Sequence, residues 1–389
     1  MSRLLVGTGA STAADAPSAG RQAAAEALAR LNGSTVELVV VHASVRYDLD
    51  ALLAGVRGVT GDARLVGATS SGQFHQDVLV PPGQGVTVLV LAGTKYRFGV
   101  GSCTGVRGAP FEAGRLLAHR ALDDLHAPRR QYGAVLLLSG TMACDQQPLL
   151  NGVHRVAGAA VPVFGGAAGD DQRLREAFVF EGGEVLRDAA VAVWIDSPVR
   201  LEVAHGHGWE PTGLPLQVTH VDGTLVRELG GRPALEVFRE RVHGGIGAPE
   251  FQDCCETQYR STHAFGLIEP DGKLLIRGAC VDGHGELRTF IPLPEYAAVQ
   301  IVTCTEESLL AVAQEVADSA LKVPDPSVLL VFSCIARLTI LAHREQEEAK
   351  HLQATAGPIP VFGFYTYGEF ARTASVSGYH NATIVALAL

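Results

Sequence analysis

Pro360-Val-Phe-Gly-Phe-Tyr-Thr-Tyr-Gly-Glu369 reads as a buried strand that runs into a glycine, exposes two tyrosines and ends on glycine plus a carboxylate. Variants stand at Leu65-Val-Gly-Ala-Thr-Ser-Ser-Gly72 and at Pro162-Val-Phe-Gly-Gly-Ala-Ala-Gly-Asp-Asp171. Three strand-to-glycine turns in one chain imply internal duplication.

The flanking periodicity agrees. Val36-Glu-Leu-Val-Val-Val-His42, Ala134-Val-Leu-Leu-Leu138 and Val328-Leu-Leu-Val-Phe332 are near-continuous apolar runs, as expected of strands covered on both faces. Helical patterns accompany them at Ala16 to Leu31, Leu49 to Val56, Pro110 to Leu125 and Leu309 to Ala320, and again after Phe332 through about His351. Asn32-Gly33 is a helix stop, Pro110 suits a first helical turn and Thr305 is a candidate N-cap. The pattern strand, helix, strand, helix, strand-turn, closing strand thus repeats over residues 3–92, 95–196 and 298–389, the third copy opening at Val299-Gln-Ile-Val-Thr303. Units this long and divergent do not make a stacked array of short repeats.

Val199 to Ala297 has a different composition, with alternation in Leu216-Gln-Val-Thr-His-Val221 and Asp-Gly turns at Asp222, Asp271 and Asp282. A strand at Lys273 to Arg277 and a helix at Pro233 to Val242 complete a β-rich connector. The expected fold class is α/β, with α+β as the alternative: internally duplicated strand-helix units forming layered sheets flanked by helices. The expected domains are 1–197, holding two units, and 198–389, holding the connector and the third, with the boundary near Pro198 to Pro215.

A net charge of -10 argues against non-specific binding to nucleic acid or anionic membrane, which needs a cationic surface. The N-terminus runs directly into Arg3-Leu-Leu-Val-Gly7, and no apolar run reaches the roughly 18 residues of a membrane span, so a cytoplasmic protein is expected. Seven irregularly spaced cysteines, with Cys254-Cys255 adjacent and no C-x-x-C pair, suit reduced thiols rather than disulfides or structural zinc.

The third copy has the most polar strand ends. Ser333, Cys334 and Arg337 leave one buried strand and Tyr365, Tyr367 and Glu369 leave its neighbour, at the edge where open α/β sheets bind ligands. Arg337 and Glu369 together suit a zwitterion such as an amino acid, the guanidinium taking a carboxylate and the carboxylate an ammonium. The alternative is that these two residues pair with each other or with backbone. Cys334 is a candidate nucleophile only if a base such as His343 or His380 activates it. His380 and Asn381 either line a pocket or cap a turn. In the second copy, Gly169-Asp170-Asp171 offers paired carboxylates for a metal or acid/base work, against ordinary turn chemistry. The first copy offers only the hydroxyls of Thr69, Ser70 and Ser71. His205-Gly-His207 lacks a third metal ligand at a diagnostic spacing. No phosphate-binding glycine motif is present.

Phe164-Gly-Gly-Ala-Ala-Gly-Asp-Asp171, Phe332-Ser-Cys-Ile-Ala-Arg337, Phe362 to Glu369 and His380-Asn-Ala-Thr383, with Gly208 to Pro215, Val218-Thr219 and Gly231-Arg-Pro-Ala234, resemble the FIST family, a FIST N domain followed by a FIST C domain. The resemblance implies a small-ligand-binding sensory protein of bacterial signal transduction rather than an enzyme. It implies an amino-acid-like ligand and a separate signalling partner such as a histidine kinase. Some relatives resemble haem-binding nitric-oxide sensors, which is the alternative reading. Haem needs an axial ligand such as a histidine in an apolar pocket. His42 lies in an apolar stretch, though a lone histidine there is more often a core residue. An enzyme using Cys334 or the Asp170-Asp171 pair is the second alternative.

Overall fold

A computed structural model describes residues 4–31, 33–142, 145–243, 262–372 and 378–389. Asn32 and the Cys254-Cys255 pair lie outside the described residues. The first unit runs β1 (Leu5–Ser11), α1 (Ala16–Ala29), β2 (Val36–Ala43), α2 (Leu49–Thr60), β3 (Arg64–Thr69), β4 (Gln73–His75), β5 (Val78–Val80) and β6 (Val86–Ala92). The second repeats it as β7 (Arg97–Thr104), α3 (Pro110–Asp123), β8 (Tyr132–Ser139), α4 (Gln147–Ala157), β9 (Val163–Ala167), β10 (Val179–Glu181), β11 (Glu184–Leu186) and β12 (Ala189–Ser197). The third opens at β13 (Ala204–Gly206). A separate body follows, made of β14 (Glu210–Pro211), β15 (Leu216–Asp222), β16 (Leu225–Leu229), β17 (Arg232–Pro233), α5 (Ala234–His243), β18 (His263–Ile268), β19 (Leu274–Val281), β20 (Leu287–Thr289) and β21 (Ala298–Thr303). The third unit then resumes with α6 (Glu306–Ala320), β22 (Leu329–Cys334), α7 (Ile335–Leu341), α8 (Glu345–Ala356), β23 (Val361–Thr366), β24 (Glu369–Arg372), β25 (Tyr379–His380) and β26 (Ile384–Ala388).

The strand orders β1-β6-β2-β3, β7-β12-β8-β9 and β13-β26-β22-β23 are the same three times, each with one parallel pair, β2–β3, β8–β9 and β22–β23. The apolar runs are buried on both faces because alternate residues serve different cores. Leu38 and Val40, Leu136 and Leu138, and Leu330 and Phe332 meet in one central core that the three sheets share. Their neighbours Val39 and Val41, Val135 and Leu137, and Leu329 and Val331 face outward under each unit's own helices. Thr305 caps α6 as the sequence predicts, its Oγ1 accepting from the Ser308 N–H at 3.1 Å.

The repeated glycine does not end its strand. Gly67, Gly165 and Gly363 sit inside β3, β9 and β23, where an added Cβ would lie 2.0, 2.0 and 1.7 Å from the carbonyl oxygens of Val41, Leu137 and Val331 on the parallel neighbour. Phe180, Phe370 and Phe74 stand opposite these glycines in register. Each of these phenylalanines comes from another unit. The hairpin β10–β11 of the second unit joins β3 of the first, β4–β5 of the first joins β23 of the third, and β24–β25 of the third joins β9 of the second. The three units therefore exchange hairpins in a ring, and sheets mix strands from residues 1–197 and 198–389.

The third copy does not open at Val299. That stretch belongs to β21, while β13 pairs with β26 as β1 does with β6 and β7 with β12. Ala204 occupies, by register, the place of Gly9 and Gly101. Three residues are too short a run to announce a strand, so the periodicity settled on the longer apolar stretch beyond the insertion. The insertion itself is a closed barrel: β15, β16, β20, β19, β18 and β21 pair in sequence, and β21 returns to pair with β15. Helix α5 packs against its interior, with Phe238 edge-on to Phe265 at 5.2 Å. The helix expected to continue through about His351 is broken between α7 and α8 at Ala342, whose φ is 45°. Among the described residues no helix is long and apolar enough to cross a membrane.

Candidate functional site

Three polar networks lie where the third unit meets its neighbours. The first is saturated. Arg337 on α7 is fully buried and ion-paired with Glu348 on α8, its Nε donating to Oε1 at 3.0 Å and its Nη2 to the same oxygen. The guanidinium also donates to the carbonyls of Leu309 at 2.8 Å and His207 at 3.4 Å. The other Glu348 oxygen accepts from Ser333 Oγ at 3.0 Å and from the Tyr365 hydroxyl. Arg337 is therefore not half of a zwitterion clamp with Glu369, nor does it pair with Glu369. Its charge is met by Glu348, and α7 and α8 are tied to β22 and β23 through it. Tyr365 is buried and Tyr367 half-buried, so the two tyrosines are not exposed as the sequence suggested. Burial and the Glu348 charge push the Tyr365 hydroxyl well above its ordinary range.

The second network centres on Glu369, which is fully buried and, among the described residues, makes its hydrogen bonds to uncharged groups. One oxygen accepts from Thr366 Oγ1 at 2.6 Å and the other from the Thr383 N–H at 3.2 Å, with the Cys334 thiol as a further partner. Burial raises the carboxyl to about 8, against the pull of those hydrogen bonds. Burial and the adjacent Glu369 also push the Cys334 thiol well above its ordinary value. A sealed thiol held away from its thiolate form is not an activated nucleophile.

The third network is under-satisfied. His380 at the end of β25 packs against His205 of β13, ring centroids 5.0 Å apart and planes tilted by 41°, and its ring hydrogen-bonds the Ala371 backbone, leaving Nε2 buried without a partner. The Oδ1 of the adjacent Asn381 is likewise buried and unpartnered. From the barrel, Arg277 on β19 reaches across to donate to the Tyr379 carbonyl at 3.1 Å, with its own neighbour's Ile276 carbonyl at 3.2 Å. Its Nε has no partner, and no carboxylate lies within ion-pair distance among the described residues. Arg277 is 6% exposed. Burial lowers the basicity of Arg277 and of all three histidines; His205 and Arg277 further disfavour charge on His380, and His207 falls to about 4. Trp209 Nε1 closes the same seam by donating to the Ala382 carbonyl at 3.2 Å, where Ala382 itself has a φ of 53°.

Gly169, Asp170 and Asp171 are placed as interlocks between units. An added Cβ at Gly169 would lie 2.5 Å from Ser71 Oγ. Asp170 accepts the N–H groups of Arg173, Leu174, Arg175 and Glu176 at 2.6 to 3.1 Å, and the Tyr367 hydroxyl as well. Asp171 accepts from Ser44 Oγ at 2.7 Å and the Gly83 N–H at 2.8 Å. His343 lines a separate open cleft of about 290 Å³ with Pro82, Gln172 and Glu345, and none of the residues expected to bind ligand lines it. Among the described residues no group of three or more His, Cys, Asp or Glu side chains is set to hold a metal ion.

A haem at His42 does not fit. The ring is sandwiched against Phe362 and Phe364 at 4.8 and 4.4 Å, and the void beside it is about 10 Å³, room for about one water molecule. Burial holds the imidazole near 3, so it is a neutral core residue.

Residues 37–232 match the FIST N domain and residues 234–372 the FIST C domain. The chain belongs to the FIST family. FIST domains are sensory domains of signal transduction. The chain is 26% identical over 403 residues to an uncharacterized protein of Mycobacterium tuberculosis, covering 97% of both chains. An uncharacterized protein of Mycobacterium bovis is 27% identical over 228 residues, 57% of this chain and 58% of that one. One from Methanocaldococcus jannaschii is 27% identical over 122 residues, 30% of this chain and 24% of that one.

Glu348 and Arg277 escaped the reading of this FIST sequence. Glu348 sits in Glu345-Gln-Glu-Glu348, which looks like a solvated charge run, and only packing of α8 against Arg337 buries it. Arg277 ends a predicted strand in the connector; its signal was a lone arginine in an otherwise apolar run, Leu274-Leu-Ile-Arg277.

Proposed function

We propose that this FIST protein senses a small, polar, amino-acid-like metabolite where the third unit meets the barrel, and relays its occupancy to a separate protein such as a histidine kinase. The observation that carries the reading is Arg277, buried without an ion pair among the described residues and bonded to the carbonyl of Tyr379, the residue just before His380 and Asn381, whose Nε2 and Oδ1 are buried without partners. Buried polar groups are normally paired, and those left unpaired mark a role or a missing partner. His380 and Asn381 remain in this reading as ligand contacts; Cys334, Tyr365 and Glu369 become the packing beneath them, and Arg337 holds the helices that support them.

The test is recovery of the ligand. The full chain is purified under native conditions, denatured, and its released small molecules identified by mass spectrometry. The recovered compound is then added to the chain together with a candidate kinase, and autophosphorylation is followed. A polar metabolite that changes the kinase rate only in the presence of this chain is the expected result. A chain that carries nothing, and whose melting is unmoved by any amino acid or polar metabolite, defeats the reading.

A further inference from the structure

We propose that the loop Arg173-Leu174-Arg175 and the cleft beside it form the docking surface for the protein this chain acts on, and that the surface takes an acidic segment bearing an apolar side chain. The inference rests on the reading above that the chain relays a signal to a separate protein, and it names the chemistry of that contact. The internal repeat singles out the loop. The turn from β3 to β4 takes three residues, 70–72, and the turn from β23 to β24 takes two, Tyr367 and Gly368. The matching turn of the second unit, from β9 to β10, takes eleven, 168–178. Its two ends are buried, but Arg173 to Glu176 stand exposed, and the other two units make the same hairpin exchange without such an extension.

The extra chain is held rigidly. Asp170 accepts the N–H groups of Arg173, Leu174, Arg175 and Glu176 at 2.6 to 3.1 Å, the Gln172 N–H donates to Ser71 Oγ at 3.3 Å, and Glu176 is ion-paired with Arg187. Asp171, Gln172 and Leu174 have φ of 57°, 64° and 53°, a region that a leucine enters only where its surroundings impose it. A single exposed leucine is ordinary. This one is 64% exposed and fixed on strained backbone between two arginines that have no ion pair among the described residues. Rigid display of an apolar side chain, at a cost in backbone strain, is what a contact surface requires.

Charge and shape define the partner. Arg46 is a third guanidinium without an ion pair among the described residues; it donates to the Gly83 carbonyl at 3.3 Å, and the Gly83 N–H donates to Asp171 at the base of the loop. Gln172 continues from the loop into the cleft of about 290 Å³, where it meets Pro82 of the first unit and Leu338, Thr339 and the strained Ala342 of the third. Two carboxylates lie nearby, Glu345 in the cleft lining and Asp171, which is turned inward onto Ser44 and the Gly83 N–H. The face is therefore positive on a chain of net charge -10. An acidic segment is repelled by most of this surface and drawn to the one place where the sign inverts. Leu174 and the cleft then give an apolar side chain of that segment a dry contact, the usual anchor of a protein interface. Three cations on an acidic chain are too few to hold a nucleic acid or an anionic membrane.

The test is fluorescence anisotropy of labelled peptides titrated with the full chain at low ionic strength. The probes are a peptide of glutamates around a central leucine, the same peptide with a central serine, and a counterpart of lysines around leucine. Saturable binding of the glutamate–leucine peptide is expected, roughly 10-fold or more weaker with serine at the centre and weaker again in salt, with no binding of the lysine peptide. Arg173→Glu with Arg175→Glu should lose the acidic peptide and gain the lysine one at unchanged melting, since both side chains are exposed. Leu174→Asn should bind roughly 10-fold more weakly and yet melt higher, because asparagine tolerates the left-handed backbone. No binding of the acidic peptide to the folded wild-type chain, or binding undiminished in the doubly substituted chain, overturns the proposal. Equal affinity for the leucine and serine peptides overturns the apolar anchor. Binding to phosphatidylserine vesicles but not to the peptide overturns it in favour of a lipid surface. In the kinase experiment, control that persists in the doubly substituted chain removes this surface and leaves the sensing reading intact. Peptide binding by a chain that carries no metabolite supports the surface while the sensing reading fails.

Discussion

Glu369→Gln should make the protein more stable at neutral pH and flatten its pH dependence. The internal repeat supplies the reason. Gln73 in the first unit occupies the place of Glu369 in the third, each standing one residue beyond a glycine–phenylalanine pair in the exchanged hairpin. Gln73 donates to Ser70 at 2.5 Å, and Thr366, the counterpart of Ser70, donates to Glu369 at 2.6 Å. One unit thus places a neutral amide where the other places a carboxyl, and the carboxyl, raised to about 8 from an ordinary 4.5, stays neutral through most of the physiological range. The sign follows from proton counts. Above 4.5 the unfolded chain has released this proton while the folded chain keeps it, so rising pH favours unfolding until the folded carboxyl also ionises. The stabilising contribution is complete below 4.5 and lost as pH rises through 8. At about 1.4 kcal/mol per pH unit, the loss is roughly 3 kcal/mol by pH 7 and at most about 5 kcal/mol. Urea unfolding midpoints measured from pH 5 to pH 8 read it directly. Wild type should lose stability along that range, with the variant close to it at pH 5 and well above it at pH 8. Parallel curves for the two proteins would refute the reasoning.

Two further outcomes follow from other buried groups. Arg337→Met should destabilise the protein by roughly 3–5 kcal/mol, because Glu348 is left as an uncompensated buried charge, while Arg337→Met with Glu348→Leu recovers much of the loss. Chemical denaturation of the three proteins checks this, and a single variant as stable as wild type would count against the ion pair. Ala342→Gly should stabilise by about 1 kcal/mol, since a φ of 45° with ψ of -115° is a glycine conformation. A lower melting temperature for that variant would show that the break between α7 and α8 is held by something other than tolerated strain.

Much of this architecture was legible because each unit repeats its own local signals. The apolar runs at Val36, Ala134 and Val328, the cap at Thr305 and the glycine at Gly363 are short-range features, and they recur. What stayed hidden depends on distant partners. A hairpin such as Gln73–Val80 carries the same turn and the same phenylalanine whichever unit it joins, so local sequence does not reveal that it joins β23. The barrel concealed β13 by separating three residues of strand from the helix that follows them in the other units. Site residues suffered likewise. Arg337, Glu369 and His380 were recognisable as polar residues near strand ends, yet which charge meets Arg337 and which buried guanidinium lies across the seam at Tyr379 were decided by α8 and β19, far along the chain.

The ring of exchanged hairpins has a last consequence. Three identical subunits passing a hairpin each to the next would form a closed trimer with three equal sites, held together only above its dissociation constant. Here the same ring is covalent, so its integrity does not depend on concentration, and its three positions are free to differ. Position by position they do: Gln73, Val179 and Glu369 are an amide, a hydrocarbon and an acid at equivalent places. Threefold architecture in a single chain permits one specialised corner, with the other two left to hold it in shape.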